Sequence, residues 1–395
     1  MRPALYYPWV YVKGGAERVL LELMQRSRHD WVLYTNHFDA ANTFPEFAGM
    51  PVVALTPISV RRTLRDVAQA GVTLMRQRLD LRQHDSLFVV SEGLGNLVAI
   101  HSPVPTSCIC LTPLKIAYDR ATRARFFRGR WRLHYRAGIR FYALLERRSW
   151  RRYRRVFCNS RETRRRLLEA RLVDAARVEV AYHGVDTGYF RPGSERERFF
   201  LVPGRIMWSK NVELAISAWR RWKPTADRNE FRLVIAGMVD AKSVPYLRRL
   251  RALAGERQDI VFSEAPTDRD LLRLYQRCHA VVFPPPNEDW GLVPLEAMAC
   301  GKPVLATDRG GPRESVVNGE TGFLRLDRPE SFAQAIDALA HLPQAQLDRM
   351  AERARARAVG YGWQAFVNRI DLHVEEISGH QPAPAADRPA LLLGT

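Results

Sequence analysis

Residues 287–301 read NEDWGLVPLEAMACG. They follow an apolar run at 280–283 and the triple proline Pro284-Pro285-Pro286, which cannot lie inside a helix. A second apolar run, PVLA, comes at 303–306. The pattern predicts a strand at 280–283, a loop, a helix over 292–300 and another strand, the unit from which parallel sheets are built. Glu288 falls in the loop and Glu296 in the first turns of the helix, eight positions later. Such a layout aims a carboxylate and the unpaired N–H groups of a helix start at one small volume. It reads as a ligand site.

The same alternation extends in both directions. Strands are expected at 4–7, 31–35, 51–55, 87–90, 107–111, 156–159 and 178–182, with helices at 16–27, 61–79, 131–152 and 161–171. A second series starts with FFLVPGR at 199 and continues with helices at 211–222, 243–255, 269–277, 313–318 and 331–341. Its further strands are 231–237, 260–263 and 322–324. Two alternating series predict an α/β protein of two doubly wound, Rossmann-like domains, 1–190 and 199–362. The Gly-, Pro- and charge-rich GVDTGYFRPGSERER (184–198) reads as the linker. A last helix is expected at 363–378, before a tail, 379–395, that reads as disordered.

With 395 residues, 46% apolar and 26% charged, the chain has the composition of a soluble globular protein. No apolar run approaches the length of a membrane span, and the start, MRPALYYPWVYV, lacks the pattern of a secretory leader. Five scattered cysteines without metal-type spacing suit a reducing cytoplasm, and Cys108 and Cys110 read as core.

Charge is unevenly placed. Residues 1–190 carry 32 Lys and Arg against 16 Asp and Glu, whereas the rest carry 29 against 26. Within 120–155 stand 14 arginines and one acid, Glu146, interleaved with Phe126, Phe127, Trp131, Tyr135, Phe141, Tyr142 and Trp150. A solvated basic face would account for this, and charge alone would suit nucleic acid. Arginine mixed with Trp, Phe and Leu at helical spacing better fits a helix lying on anionic headgroups. Arg147, Arg148, Trp150, Arg151 and Arg152 are the candidate acceptor or membrane residues, and no nucleic-acid partner is expected.

Ligands of open α/β sheets bind beyond the carboxyl ends of the strands. Besides 287–301, three stretches fall there. KGGAERV (13–19) places Gly14 and Gly15 before a helix, where a structural turn is an equal explanation. GRIMWSKN (204–211) offers Arg205 as a fork and Lys210 as a point charge for one diphosphate, although loop cations are commonly just solvated. GGPRES (310–315) is a further glycine-rich turn into a helix. Glu288 and Glu296 are acceptors only, suited to the hydroxyls of a sugar or ribose.

In these motifs the sequence resembles the retaining, nucleotide-sugar-dependent glycosyltransferases of family four. The resemblance rests on PPPNEDWGLVPLEAMACGKPVLATDRGGPRESVVNGETGFL (284–324), GGAERV (14–19), VFCNSRETRRRL (156–167), VEVAYHGVDTGYFRP (178–192) and FLVPGRIMWSKNVELAI (200–216). It implies the GT-B fold, two Rossmann-like domains facing across a cleft, with 1–190 binding the acceptor, 199–362 the nucleotide sugar, and the last helix packing back on the first domain. It further implies that Arg205 and Lys210 hold the donor diphosphate, Glu288 the sugar hydroxyls and Glu296 the ribose hydroxyls. Backbone N–H groups at Gly291 and Leu292 would support the phosphate, with Gly14 and Gly15 lining the cleft from the other domain. Neither a metal nor another cofactor is implied, and the leaving phosphate assists a same-face attack with no protein nucleophile.

Within the family these motifs most resemble mannosyltransferases, which makes GDP-mannose the expected donor, with UDP-glucose, UDP-N-acetylglucosamine and dTDP-rhamnose left open, and a glycan or lipid-linked molecule the expected acceptor. Cell-surface polysaccharide synthesis at the inner face of the cell membrane is the expected setting. One departure stands out in CICLTPLKIAYD (108–119), where Leu111 occupies a position that is histidine in mannosyltransferase-like members. That histidine lies near acceptor and donor sugar, and His183 and His101 are the nearest alternatives in sequence. Two other classes remain open on the residues alone: a GT-B-fold epimerase or hydrolase of nucleotide sugars, and a non-catalytic nucleotide-sugar-binding homologue.

Overall fold

Strands without a polar face, such as Leu87–Ser91 and Ala280–Phe283, are buried along their whole length, as a sheet covered on both sides requires. The computed structural model describes residues 1–61, 63–119, 122–123, 132–222 and 231–379. Phe126, Phe127 and Trp131, and the tail beyond 379, lie outside the described residues.

The chain forms two compact units. The first comprises Met1–Cys158, Arg164–Ala181 and the residues from Gln364 on; the second comprises Asn159–Thr163 and Tyr182–Trp363. Among the described residues the first holds nine strands: β1 (Ala4–Tyr6), β2 (Trp9–Val10), β3 (Val32–Thr35), β4 (His37–Phe38), β5 (Val52–Ala54), β6 (Leu87–Ser91), β7 (Thr106–Cys110), β8 (Tyr153–Cys158) and β9 (Val178–Val180). Seven of them form a sheet of order β5-β3-β1-β6-β7-β8-β9, parallel throughout, while β2 and β4 pair separately.

The second unit holds β10 (Phe199–Pro203), β11 (Arg232–Gly237), β12 (Ile260–Glu264), β13 (Ala280–Phe283), β14 (Val304–Thr307) and β15 (Gly322–Arg325). Their order, β12-β11-β10-β13-β14-β15, makes β10 and β13 the neighbours at which chain order reverses. That reversal leaves a crevice beyond their carboxyl ends, where open α/β sheets take ligands. One face of this sheet packs on helices through Leu214, Trp219, Leu250, Phe332 and Ile336. The other packs through Leu295, Met298, Ala354 and Ala358.

Two features differ from the sequence pattern. Residues 182–198 are no loose linker but part of the second unit. The N–H of Val185 bonds Tyr361 O at 2.8 Å, and the Arg355 guanidinium donates to the carbonyls of Thr187 and Phe190 at 3.0 and 2.8 Å. Arg355 lies on the helix Gln344–Val359, for which the pattern gave no element. Its buried face is only Leu347, Met350, Ala354 and Ala358, too small in side chain to mark a hydrophobic period among so many arginines.

The helix Trp363–Ile377 carries buried polar side chains into the first unit. Asp371 accepts the Ser27 hydroxyl at 2.5 Å and the Arg28 N–H at 3.2 Å, and His373 Nε2 lies 2.8 Å from the Ser107 hydroxyl. Asp371→Ala would strand two donors of a charge-assisted pair and is expected to destabilise the first unit by about 1.5–3 kcal/mol. Urea denaturation checks it: Asp371→Asn, which keeps one acceptor, should lose less, and equal midpoints for all three proteins would make the carboxylate idle.

Candidate functional site

The loop after β10 is laid along the end of β11. The N–H groups of Gly204 and Ile206 bond the carbonyls of Ala236 and Met238 at 3.0 and 2.9 Å. Arg205, between them, is exposed, and no acidic partner accompanies it among the described residues. A single 3-10 turn, Trp208–Lys210, follows and ends at Asn211 in the left-handed region, φ 50°. The Asn211 amide donates to Pro284 O at 3.2 Å, which ties this loop to the one after β13.

Across that junction Lys210 Nζ meets Glu288 Oε2 at 2.7 Å. Both side chains are about one quarter exposed, at 26% and 23%, so the pair is neither sealed in the core nor loose in water. An ammonium has three donors. One is spent on Glu288, so the same cation can bridge a carboxylate to an anion that the carboxylate alone would repel.

The loop carrying Glu288 is shaped by glycines. Gly310 has φ +67°, and a Cβ there would stand 2.1 Å from the Glu288 carbonyl oxygen. The N–H of Gly311 bonds that same oxygen at 3.1 Å. The GGPRES turn therefore serves to seat the Glu288 backbone. Gly291, at φ +89°, is the N-cap of the helix Leu292–Ala299, which begins with no side-chain cap. A side chain at 291 would press on the Phe283 ring, 3.2 Å from the Cβ position, and on Glu288 Cγ at 3.4 Å. Glycine here keeps both the helix start and the flank of Glu288 bare.

Glu296 lies in the second turn of that helix, where it accepts the Tyr275 phenol at 2.7 Å. Burial, with Glu296 beside it, holds the Tyr275 hydroxyl well above its ordinary pKa, so it remains a donor. The structure thus brings together Lys210, Glu288, Gly291 and Leu292, with Glu296 on the same helix as Leu292. Tyr275 is a member the sequence did not single out, being a tyrosine in an amphipathic helix that resembles any core aromatic.

The remaining residues singled out in the sequence belong to other elements. Gly14 is the extended N-cap of the helix Gly15–Arg26, with φ −114°, so the pair is not a left-handed turn. A Cβ at Gly14 would stand 2.5 Å from Glu17 Oε2, the end of a flexible side chain, and 3.4 Å from Val12 Cγ2. Leu111 follows β7 directly and is buried, its N–H bonded to Ser91 O at 3.0 Å. His101 closes the 3-10 segment Leu94–His101 in the first unit and is exposed. His183 is buried in the second unit and stacks on Trp363, with ring centroids 5.8 Å apart. Burial pushes its imidazole down to about 3, leaving it neutral at pH 7.

The basic stretch forms the helix Arg132–Arg152. Arg147, Arg148 and Arg151 are exposed, and Arg152 is tied by a 2.6 Å bond to Ser102 O. Trp150 corrects the expectation of a surface aromatic. It is fully buried, edge-on to Tyr153 at 5.5 Å, because it shares the inner face with Glu146 and Ser149. Phe141 and Leu144 are outside instead, 63% and 65% exposed.

The model of "Glycosyltransferase Family 4" matches residues 13–189, and that of "Glycosyl transferases group 1" matches residues 190–357. The D-inositol 3-phosphate glycosyltransferase of Frankia alni is 32% identical over 234 residues, 55% of this chain and 57% of that protein. Alpha-1,3/1,6-mannosyltransferase ALG2 of Mus musculus is 30% identical over 192 residues, 46% of each. The chain thus spans about half the length of the curated relatives it matches. Anabaena HepE, solved in complex with UDP, shares the fold with a TM-score of 0.72 at 18% identity, covering 95% of this chain and 100% of its own. Sucrose-phosphate synthase of Thermosynechococcus elongatus does so with a TM-score of 0.73 at 17% identity, covering 96% and 99%. With both halves matched by family models and the GT-B fold shared along nearly its whole length, the chain belongs to the group 1, family 4 glycosyltransferases.

Proposed function

We propose that the protein is a hexosyltransferase that moves mannose from GDP-mannose to a glycan or lipid-linked acceptor with retention of configuration and without a metal ion. The observation that carries this reading is the Lys210–Glu288 pair at the strand-order reversal, in front of a helix that starts bare at Gly291. In this reading Arg205 and Lys210 grip the diphosphate, while the N–H groups at Gly291 and Leu292 add the partial positive charge of a helix start. Together they balance the charge that grows on the leaving nucleotide, the task a metal performs elsewhere. Glu288 accepts sugar hydroxyls and Glu296, braced by Tyr275, the ribose hydroxyls.

The mannosyltransferase named among the relatives supports the mannose donor. The UDP bound to HepE favours a second reading, a UDP-sugar donor with the same machinery. Calorimetry with GDP-, UDP- and dTDP-linked sugars in the presence of EDTA decides between them. Wild type is expected to bind the GDP series at micromolar concentration, and Lys210→Ala to lose at least about tenfold, or 1.4 kcal/mol. Glu288→Ala should lower transfer by roughly a hundredfold or more. No binding without added Mg²⁺ would overturn the metal-free mechanism, and tight UDP-sugar binding alone would replace the donor.

We also propose that the protein works at the inner face of the cell membrane, docked through the helix Arg132–Arg152, in cell-surface polysaccharide synthesis. Among the described residues no helix is long and apolar enough to cross a membrane. What supports docking is that Arg140, Phe141, Leu144, Arg147, Arg148 and Arg151 are all exposed and share one helix face. An apolar pair ringed by arginines suits the boundary between headgroups and acyl chains. Each arginine near an anionic surface contributes about 1 kcal/mol. Replacing Arg147, Arg148 and Arg151 by Gln should therefore weaken binding to phosphatidylglycerol-containing vesicles by about 100-fold in co-sedimentation. Unchanged binding would return this face to ordinary solvated charge.

A further inference from the structure

Three consecutive residues at the Glu288 loop each form a hydrogen bond with a different part of the second unit. The Glu288 carbonyl accepts the Gly311 N–H at 3.1 Å. The Asp289 carbonyl accepts the Ser160 hydroxyl at 2.6 Å, and the Trp290 indole donates to His183 O at 3.0 Å. Ser160 is the unexpected member, because it comes from Asn159–Thr163, five residues that join the second unit from within the sequence of the first.

Ser160 is fully buried, and its oxygen accepts the Thr163 N–H at 2.9 Å, as the residue before a helix does. The shortest contact open to its single proton is the Asp289 carbonyl. The next two residues return the connection. The N–H groups of Arg161 and Glu162 donate to the Glu314 carboxylate at 2.8 and 2.9 Å, which also accepts the Tyr182 phenol at 2.9 Å. Glu314 belongs to the same GGPRES turn that supplies Gly311. Segments 159–163, 288–290 and 310–315 therefore close a ring of hydrogen bonds around the backbone from which the Glu288 carboxylate projects.

We propose that Ser160 and Glu314 are positioning residues for sugar transfer, acting through this ring to hold the Glu288 carboxylate in register with the donor sugar. The proposal rests on the reading of Glu288 as a sugar-hydroxyl ligand. Removing the Ser160 hydroxyl takes away the 2.6 Å bond that holds the Asp289 carbonyl, and the loop is then less firmly fixed. A displacement of about 1 Å at a reacting centre can cost a hundredfold in rate. A hydroxyl that merely stabilises the fold would lower the melting temperature without discriminating between ligands.

The test is a double-mutant cycle read by calorimetry on the full chain. The ligands are the nucleotide sugar selected by the donor panel and the corresponding nucleoside diphosphate. Ser160→Ala is expected to weaken the nucleotide sugar by about five- to tenfold and to leave the nucleoside diphosphate unchanged. In a Glu288→Ala background the same substitution should have no further effect, since nothing is left to position. Glu314→Gln, which keeps the shape but turns one acceptor into a donor, should give the same pattern and carries the test if Ser160→Ala fails to fold. Equal losses for both ligands, additive losses in the cycle, or no loss at all would overturn the positioning role. A Glu288→Ala protein that binds and transfers the sugar normally would overturn the Glu288 reading itself, whatever the cycle shows.

Discussion

The reversal of strand order between β10 and β13 is the constraint from which the site follows. Parallel strands are joined by crossovers, and successive crossovers on one side build a continuous layer. Where the chain returns to the middle and builds outward the other way, the loops of the two central strands diverge and leave room for a ligand. The loop after β10 brings Lys210 and the loop after β13 brings Glu288, and the Asn211 amide locks the two at Pro284. Residues 78 positions apart thus meet through topology, with no local sequence signal.

The chemistry of the pair solves an electrostatic problem. In the proposed donor site, a carboxylate that takes sugar hydroxyls stands close to a diphosphate that repels it. Lys210 neutralises it at 2.7 Å while keeping donors for other oxygens. The helix starting at Leu292 contributes positive potential without another side chain, which is possible because Gly291 leaves its first turn uncovered. This explains the mixed composition of the loop, acids beside glycine, better than either a purely basic or a purely acidic pocket would.

The sequence made much of this legible because its signals were either periodic or sterically obligatory. Short apolar runs bounded by Gly and Pro marked the strands, and Gly310 and Gly291 sit where a side chain would collide with Glu288 or Phe283. What stayed hidden depended on long-range partners. Ser160 looks like any helix cap until its second hydrogen bond to Asp289 is seen. Tyr275 looks like core until its hydroxyl is found on Glu296. The helix Gln344–Val359 is masked because its buried stripe has only two large apolar side chains, Leu347 and Met350, beside two alanines.

The misreading of Trp150 has a more instructive cause. In a helix with so many arginines, charge alone does not fix which side faces the core; the single acid does. Glu146 is fully buried, where it accepts the Asn96 amide at 2.8 Å and the Tyr118 hydroxyl at 2.6 Å. Burial raises its pKa, and those donors oppose the shift, so the carboxylate is committed to this one cradle. Trp150, four residues later, shares its face and must go inward with it. Phe141 and Leu144 are then carried to the opposite side, among Arg140, Arg147, Arg148 and Arg151. The apolar exposure of this helix is therefore a consequence of its roll about the axis, set by one buried carboxylate and not by the count of arginines. A face built in this way has a defined orientation, which the proposed membrane docking requires and a diffuse cloud of positive charge does not supply.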